Sequence, residues 1–310
     1  MAELMKISNL CKIYPSSSGI RDVSMSILKG SIHGFLGLNG SGKTTTMKCV
    51  MGLLRKDGGK IEYEGRVFDP MNVADRSHIG FSSDLPFYPP YLTGFELMSV
   101  YGRIRGLSKE QSRTEALELL KLVGLGEAGK KLVGSYSRGM MAKLGIGVSL
   151  LGDPELLILD EPTSGMDPMA SANIRRLLSE LKKGGKSILF SSHQLGEVQA
   201  LCENVTIIDR GKTILEGSVR HLSGKLGKDV SYIAEFKDLP PEMFTEIRRL
   251  DGVKECNVVD GKRNMIEITF SGEMEIREEL ARLAFKHKSV MLSCARVDAS
   301  LEEVFLSLIG

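Results

Sequence analysis

Gly37-Leu38-Asn39-Gly40-Ser41-Gly42-Lys43-Thr44-Thr45 decides how the rest of this chain is read. The run has the pattern GxxxxGK[ST], and Ile32-His33-Gly34-Phe35-Leu36 ahead of it is a short apolar segment of strand type. Behind it, Met47, Val50, Met51 and Leu54 fall at helical spacing, so a helix is expected over 44–54. A glycine loop between strand and helix lets successive backbone N–H groups and the helix N-terminus turn inward around phosphate oxygens. Gly37, Asn39, Gly40, Ser41, Gly42, Lys43, Thr44 and Thr45 are therefore candidate phosphate-binding residues. Lys43 would act as a point charge on the outer phosphates of a nucleotide, with the Thr44 hydroxyl placed to ligate Mg²⁺.

Two further apolar runs end in polar residues suited to such a site. Leu156-Leu157-Ile158-Leu159 leads into Asp160-Glu161, the pattern of a doubly covered parallel strand emerging at a ligand. Asp160 would reach the metal, while Glu161, on the other side of the pleat, would hold a water against the terminal phosphate. Ser187-Ile188-Leu189-Phe190-Ser191-Ser192 ends at His193, whose ring nitrogens could meet the same phosphate or the attacking water. Tyr14, beside Pro15 and the Ser16-Ser17-Ser18-Gly19 loop, is either a core or edge ring or one that stacks on a nucleobase.

Composition narrows the classes. With 310 residues there is room for two cores, and a net charge of +2 argues against nucleic-acid binding driven by bulk charge. Cys11, Cys49, Cys202, Cys256 and Cys294 form no CxxC pair and read as buried thiols in a reducing compartment. No apolar run approaches the ~18 residues of a membrane span, and Met1-Ala2-Glu3 begins no secretory signal. A soluble intracellular protein is expected, any membrane role coming through a partner.

Domain organisation follows from changes of texture. Residues 1–220 form one expected domain, β-rich up to Glu64 and helical over about 85–150, where Ala116, Leu119, Leu120 and Val123 recur at helical spacing. Within it, Pro86-Phe87-Tyr88-Pro89-Pro90-Tyr91 combines three rings with three prolines, either packed on its own domain or offered to another protein. Residues 221–310 form a second domain. Strands at 230–236, 256–259, 266–270 and 290–297, with helices at 241–250 and from Ile276, give the order βαββαβ of a small α+β, ferredoxin-like domain. Asp260-Gly261 is its hairpin turn, and Ser300-Leu301-Glu302-Glu303 a capping-box start for a terminal helix bearing Val304, Phe305 and Leu308.

From about Leu4 to Gly217 these residues resemble the ATP-binding subunits of ABC transporters. Tyr136-Ser137-Arg138-Gly139-Met140 stands at that family's signature motif, Ser164-Gly165-Met166-Asp167 at its D-loop, His193 at its switch histidine and Tyr14 at its adenine-stacking ring. Two positions depart from the family. The signature usually reads LSGGQ, of which Ser137 and Gly139 remain, and the usual Gln or Glu of the Q-loop, counted from Ile79-Gly80-Phe81, is Asp84. The resemblance implies a P-loop NTPase sheet with a helical subdomain, ATP and Mg²⁺ as ligands, and Asp84 near the metal or the lytic water. It also implies a homo- or heterodimer packed head to tail. Each ATP would lie between one phosphate loop and the partner's Ser137, Gly139 and D-loop Asp167, because the helical segment holds a chain's own signature far from its loop.

Such a dimer would power a separate multi-span membrane permease, contacted through the Asp84 loop and the Phe87–Tyr91 rings. The protein would then be peripheral on the inner face of the cell membrane. The tail resembles the C-terminal extensions of export-type subunits, which either sense a ligand or, the preferred reading, brace the dimer. Rival readings are a soluble ATPase of the same family working on DNA or ribosomes, and a nucleotide-gated regulator. Members working on DNA carry long heptad insertions and ribosomal ones two fused ATPase halves; this sequence has neither.

Overall fold

The structure is a computed structural model that describes residues 2–15, 18–84, 86–219, 230–259, 264–271, 276–297 and 305. The backbone divides into two compact units, Met1–Val219 and Arg220–Gly310. The strands of the first are β1 (Glu3–Ile13), β2 (Gly19–Leu28), β3 (Ile32–Leu36), β4 (Gly58–Tyr63), β5 (Arg66–Val67), β6 (Ile79–Ser82), β7 (Leu156–Leu159), β8 (Ser187–Ser192), β9 (Asn204–Asp209) and β10 (Lys212–Ser218). They make one ten-stranded sheet in the order β5-β4-β1-β2-β10-β9-β3-β8-β7-β6.

The half running β9-β3-β8-β7-β6 is parallel. Every residue of β3, β7 and β8 is buried, which is why these strands carry unbroken apolar runs and no alternation. In the other half β1 pairs antiparallel with β2 and β4, β10 joins β2 in parallel, and β1 and β2 alternate between buried and open positions. Four parallel strands deliver the candidate residues from their carboxyl ends: β3 leads into the 37–42 loop, β6 to Asp84, β7 to Asp160 and Glu161, and β8 to His193. That edge is where open α/β sheets hold ligands.

The helices of this unit are α1 (Lys43–Val50), α2 (Val73–Arg76), α3 (Gly94–Ile104), α4 (Lys109–Leu122), α5 (Arg138–Leu150), α6 (Pro168–Lys183) and α7 (Leu195–Leu201). α1 stops four residues short of the expected Leu54, because Gly52 takes a left-handed turn, φ 66°, that ends the helix. Met51 and Leu54 still pack, half-buried, against the sheet. Capping boxes start α3 (Thr93 with Glu96) and α4 (Ser108 with Gln111). α5 lies directly on β6. A Cβ at Gly80 would collide with the Ser149 carbonyl oxygen, so backbone meets backbone there, and one at Gly145 would collide with the Ser82 hydroxyl.

The proline-aromatic stretch divides between its two readings. Tyr88 packs edge-on against Tyr101, ring centres 5.6 Å apart, whereas Phe87 and Tyr91 are 90% and 74% exposed. Cys49, Cys202 and Cys256 are buried as expected, but Cys11 and Cys294 are only half-buried, and none is in a disulfide. Among the described residues no helix is long and apolar enough to cross a membrane.

The second unit contains β11 (Val230–Phe236), α8 (Pro241–Arg248), β12 (Val253–Val258), β13 (Met265–Phe270), α9 (Ile276–Lys286) and β14 (Met291–Val297). Its antiparallel sheet has the order β12-β13-β11-β14, the interleaving that a βαββαβ chain adopts in the ferredoxin-like arrangement. Both helices present their apolar stripes to one face, where Phe236, Met243, Ile247, Ile268 and Leu280 are buried together. The Asp260-Gly261 turn and the Ser300–Glu303 capping box lie outside the described residues, as do Ser16, Ser17, Leu85, Val304 and Leu308; Phe305 is helical and buried.

Candidate active site

One cavity of about 460 Å³ gathers residues from five stretches of the first unit. The phosphate-type loop and the start of α1 contribute Asn39, Gly40, Gly42, Lys43, Thr44 and Thr45; Tyr14 with Ser18 and Gly19 closes one side. Asp84, Glu161, Ser164 and His193 close the other. Tyr14 belongs to neither core cluster and stands half-buried among the residues that line the cavity.

The loop has the backbone its glycines allow. Gly40 and Gly42 take φ of 82° and 113°, a region that L side chains rarely enter. At Gly37 a Cβ would press on the Ile208 carbonyl and the Ser41 hydroxyl, so the loop can close only without one. The Ser41 hydroxyl is buried with no hydrogen-bond partner. An orphaned polar group beside inward-facing backbone fits a loop shaped for an anion.

Lys43 is buried, and its ammonium donates to the carbonyls of Gly37 (2.8 Å) and Leu38 (3.3 Å) and pairs with Glu161 at 3.2 Å. The other Glu161 carboxylate oxygen meets His193 Nδ1 at 2.8 Å. Glu161 is not reached by pleat alternation, since β7 ends at Leu159; a left-handed φ of 48° turns it toward Lys43 and His193. Its amide donates to the Ser191 hydroxyl (2.9 Å), and that hydroxyl donates to Asp160 at 2.7 Å. Asp160 is 2% exposed and sits behind the cavity wall.

Three further candidates lie away from the cavity. Ser137 caps α5, accepting from the Met140 amide at 3.3 Å, and is exposed; Gly139 is half-buried in the first turn of that helix. Asp167 caps α6 through the amides of Met169 and Ala170, at 3.0 and 2.9 Å. The signature segment is nevertheless closer to its own site than expected. Arg138 reaches back to within 3.7 Å of Asp84 and 3.5 Å of the Ser164 hydroxyl, and both of those residues line the cavity. The two positions that depart from the family pattern thus face each other. Burial pushes the Asp84 carboxyl above its usual range, Arg138 opposes this, and the charges of Asp160 and Glu161 add to the rise.

Reading the sequence missed Ser191, Thr163 and Glu197, whose hydrogen bonds stand behind Asp160, Glu161 and His193. A signal was present: two serines at the end of an apolar strand, and a glutamate four residues after His193 on a helix face shared with buried Val198.

A glycine loop ahead of α1, paired acids after β7 and a histidine after β8, all at one edge of a largely parallel sheet, define a P-loop ATPase cassette. Residues 20–164 match the ABC transporter family. The chain is 31% identical to the linearmycin resistance ATP-binding protein LnrL of Bacillus subtilis, over 99% of this chain and 98% of that one. It is 38% identical to the bacitracin transport ATP-binding protein BcrA of Bacillus licheniformis, over 75% of each. Among solved structures, cbiO1 from Clostridium perfringens, part of the ABC transporter complex cbiONQ, superposes with a TM-score of 0.63 at 27% identity, covering 70% of this chain and 89% of that one. The chain belongs to the ATP-binding subunits of ABC transporters, and it is an ATPase of that family.

Proposed function

We propose that this protein is the motor of an exporter: two ATP-binding subunits close head to tail around ATP, and their closing and opening drive a multi-span permease at the inner face of the cell membrane. The observation carrying this reading is a division of labour. The cavity holds a phosphate loop, two carboxylates, a histidine and an aromatic ring, while Ser137 and Gly139 lie outside it at the exposed start of α5. Residues that no chain brings to its own site are available to a second chain. The dimer is either a homodimer or a pair with a close relative, and the names of LnrL and BcrA support an antibiotic as cargo.

The roles follow from the geometry. Tyr14 stacks on the adenine, and the loop amides from Asn39 to Thr45 hold the phosphates with the Lys43 ammonium. The oxygen donors Thr44, Asp160 and Asp84 suit a hard divalent cation. Bound Mg²⁺ would neutralise charge developing on the phosphates. Glu161, held by His193, aligns a water with the terminal phosphorus and takes its proton as the bond to the bridging oxygen breaks, leaving ADP and phosphate. Losing the terminal phosphate removes what binds one subunit to the other's Ser137 and Gly139. Phe87, Tyr91 and the Asp84 loop contact the permease; exposed rings on a proline-stiffened loop suit an apolar partner surface.

Glu161→Gln tests the reading. The variant should bind ATP, lose roughly 10²–10⁴-fold in turnover, and run as a dimer with ATP in sizing chromatography. A variant that stays monomeric with ATP breaks the shared-site reading. Copurification with ribosomes or DNA in place of a multi-span membrane protein breaks the transport reading.

A further inference from the structure

Glu197 is 5% exposed and belongs to none of the motifs used above. From α7 its Oε2 accepts a hydrogen bond from the Thr163 hydroxyl at 2.7 Å and another from the Ser192 hydroxyl at 3.0 Å. Its Oε1 faces the Arg175 guanidinium of α6 at 3.5 Å. Thr163 is two residues after Glu161, and Ser192 is the residue before His193. One carboxylate oxygen therefore joins the two loops whose side chains, Glu161 and His193, meet 2.8 Å apart. Chain and hydrogen bonds close a ring: Glu161, Pro162, Thr163, Glu197, Ser192, His193 and back to Glu161.

We infer that Glu197 is a positioning residue for ATP hydrolysis, setting the separation of the Glu161 and His193 loops through Thr163 and Ser192. Burying a carboxylate is costly unless it is paired and hydrogen-bonded, and here the compensation comes from a cation and from both loops at once. Ser192 also accepts from the Gln194 amide at 3.0 Å, so the turn carrying His193 is held on both sides. Ser191 fastens the other end of the ring, between Asp160 and the Glu161 amide. Without the carboxylate, two buried hydroxyls lose their shared acceptor and the loops are free to part. A misplacement of about 1 Å at reacting groups costs on the order of 10²-fold in rate. The loop amides proposed to hold the phosphates lie outside the ring, which Lys43 meets only at Glu161, 3.2 Å away, so affinity should change little.

This rests on the roles proposed for Glu161 and His193, and the experiment separates the two. In the full chain, Glu197→Gln keeps the volume but removes the charge, and its amide oxygen can serve the two hydroxyls only by turning the N–H₂ group onto the Arg175 guanidinium. It should lower kcat by about 10–100-fold while ATP affinity by calorimetry stays within about twofold. Thr163→Val should lower kcat in the same way, and Thr163→Ser, which restores the hydroxyl, should recover most of the loss; this pair decides the matter if Glu197→Gln fails to fold. In a Glu161→Gln background the Glu197 change should have little further effect on residual turnover. An unchanged kcat in Glu197→Gln overturns the inference, as does a Thr163→Ser no better than Thr163→Val, or a full additional loss in the Glu161→Gln background. If Glu161→Gln and His193→Ala keep wild-type turnover, the assignment of the site itself fails.

Discussion

The two units bury different kinds of atom. In the first, Lys43, Ser82, Asp160, Thr163, Ser191, Ser192 and Glu197 are all enclosed near the carboxyl ends of the parallel strands. Among the described residues of the second, the buried set is apolar apart from Ser289, and charged groups such as Lys286, 2.8 Å from Glu246, lie nearer the surface. Enclosed polar groups must be satisfied by one another, which fixes their geometry and makes it suitable for chemistry. An apolar core tolerates small shifts and supplies cohesion. The first unit has the enclosed polar geometry of a reaction site, and the second has a cohesive apolar core.

That contrast can be broken by exchanging the kinds of damage. Phe236→Ala in the apolar core should cost the second unit about 3–5 kcal/mol, read as an early thermal or denaturant transition. ATP affinity should not change; a large change would mean that the second unit takes part in binding.

Acid should attack the first unit. His33 is fully enclosed in β3, its Nε2 on the Thr206 hydroxyl at 2.8 Å, and burial lowers its pKa from 6.5 to about 4. The folded-state pKa lies below that of the unfolded chain. Its stabilising contribution is therefore complete above pH 6.5 and is lost as pH falls toward 4, because only the unfolded chain then takes up the proton. Roughly 3 kcal/mol should disappear across that window, and His33→Gln should flatten the decline measured by denaturant titration. An equal decline in that variant would place the acid sensitivity elsewhere.

Lys43→Ala should weaken ATP binding by on the order of 100-fold, the equivalent of about 2–3 kcal/mol for a charge-assisted contact. Near-normal affinity by calorimetry would remove the phosphate loop from the account. The smallest effect belongs to the Arg138–Asp84 pair. With both side chains well exposed and 3.7 Å apart, Arg138→Ala should change stability by under about 1 kcal/mol. Turnover in that variant should be less sensitive to added salt than in the wild type, since salt already screens the pair in the latter.

Much of the fold was legible because strand burial writes itself as uninterrupted apolar runs. Leu156–Leu159 and Ser187–Ser192 could be paired with the glycine loop before any coordinate was known. The second unit was equally open to reading, since clean alternation at Ile266–Phe270 and helical spacing from Ile276 each admit one interpretation. What escaped was spatial. Nothing in the order of residues says that Arg138 crosses to Asp84, that Glu161 turns through a left-handed backbone, or that Thr163 and Ser192 share an acceptor. Those facts depend on how loops from separate strands converge, and hydroxyl side chains carry too little pattern to announce it.

The seam between α5 and β6 has a mechanical consequence. At Gly80 the strand backbone lies against the Ser149 carbonyl of the helix, while at Gly145 the small Ser82 side chain fills the gap. Asp84 follows one end of that strand by two residues, and Ser137 stands at the start of that helix. Any side chain at Gly80 would therefore have to lift the helix off the strand, on the stretch between the residues that lead to Asp84 and to Ser137.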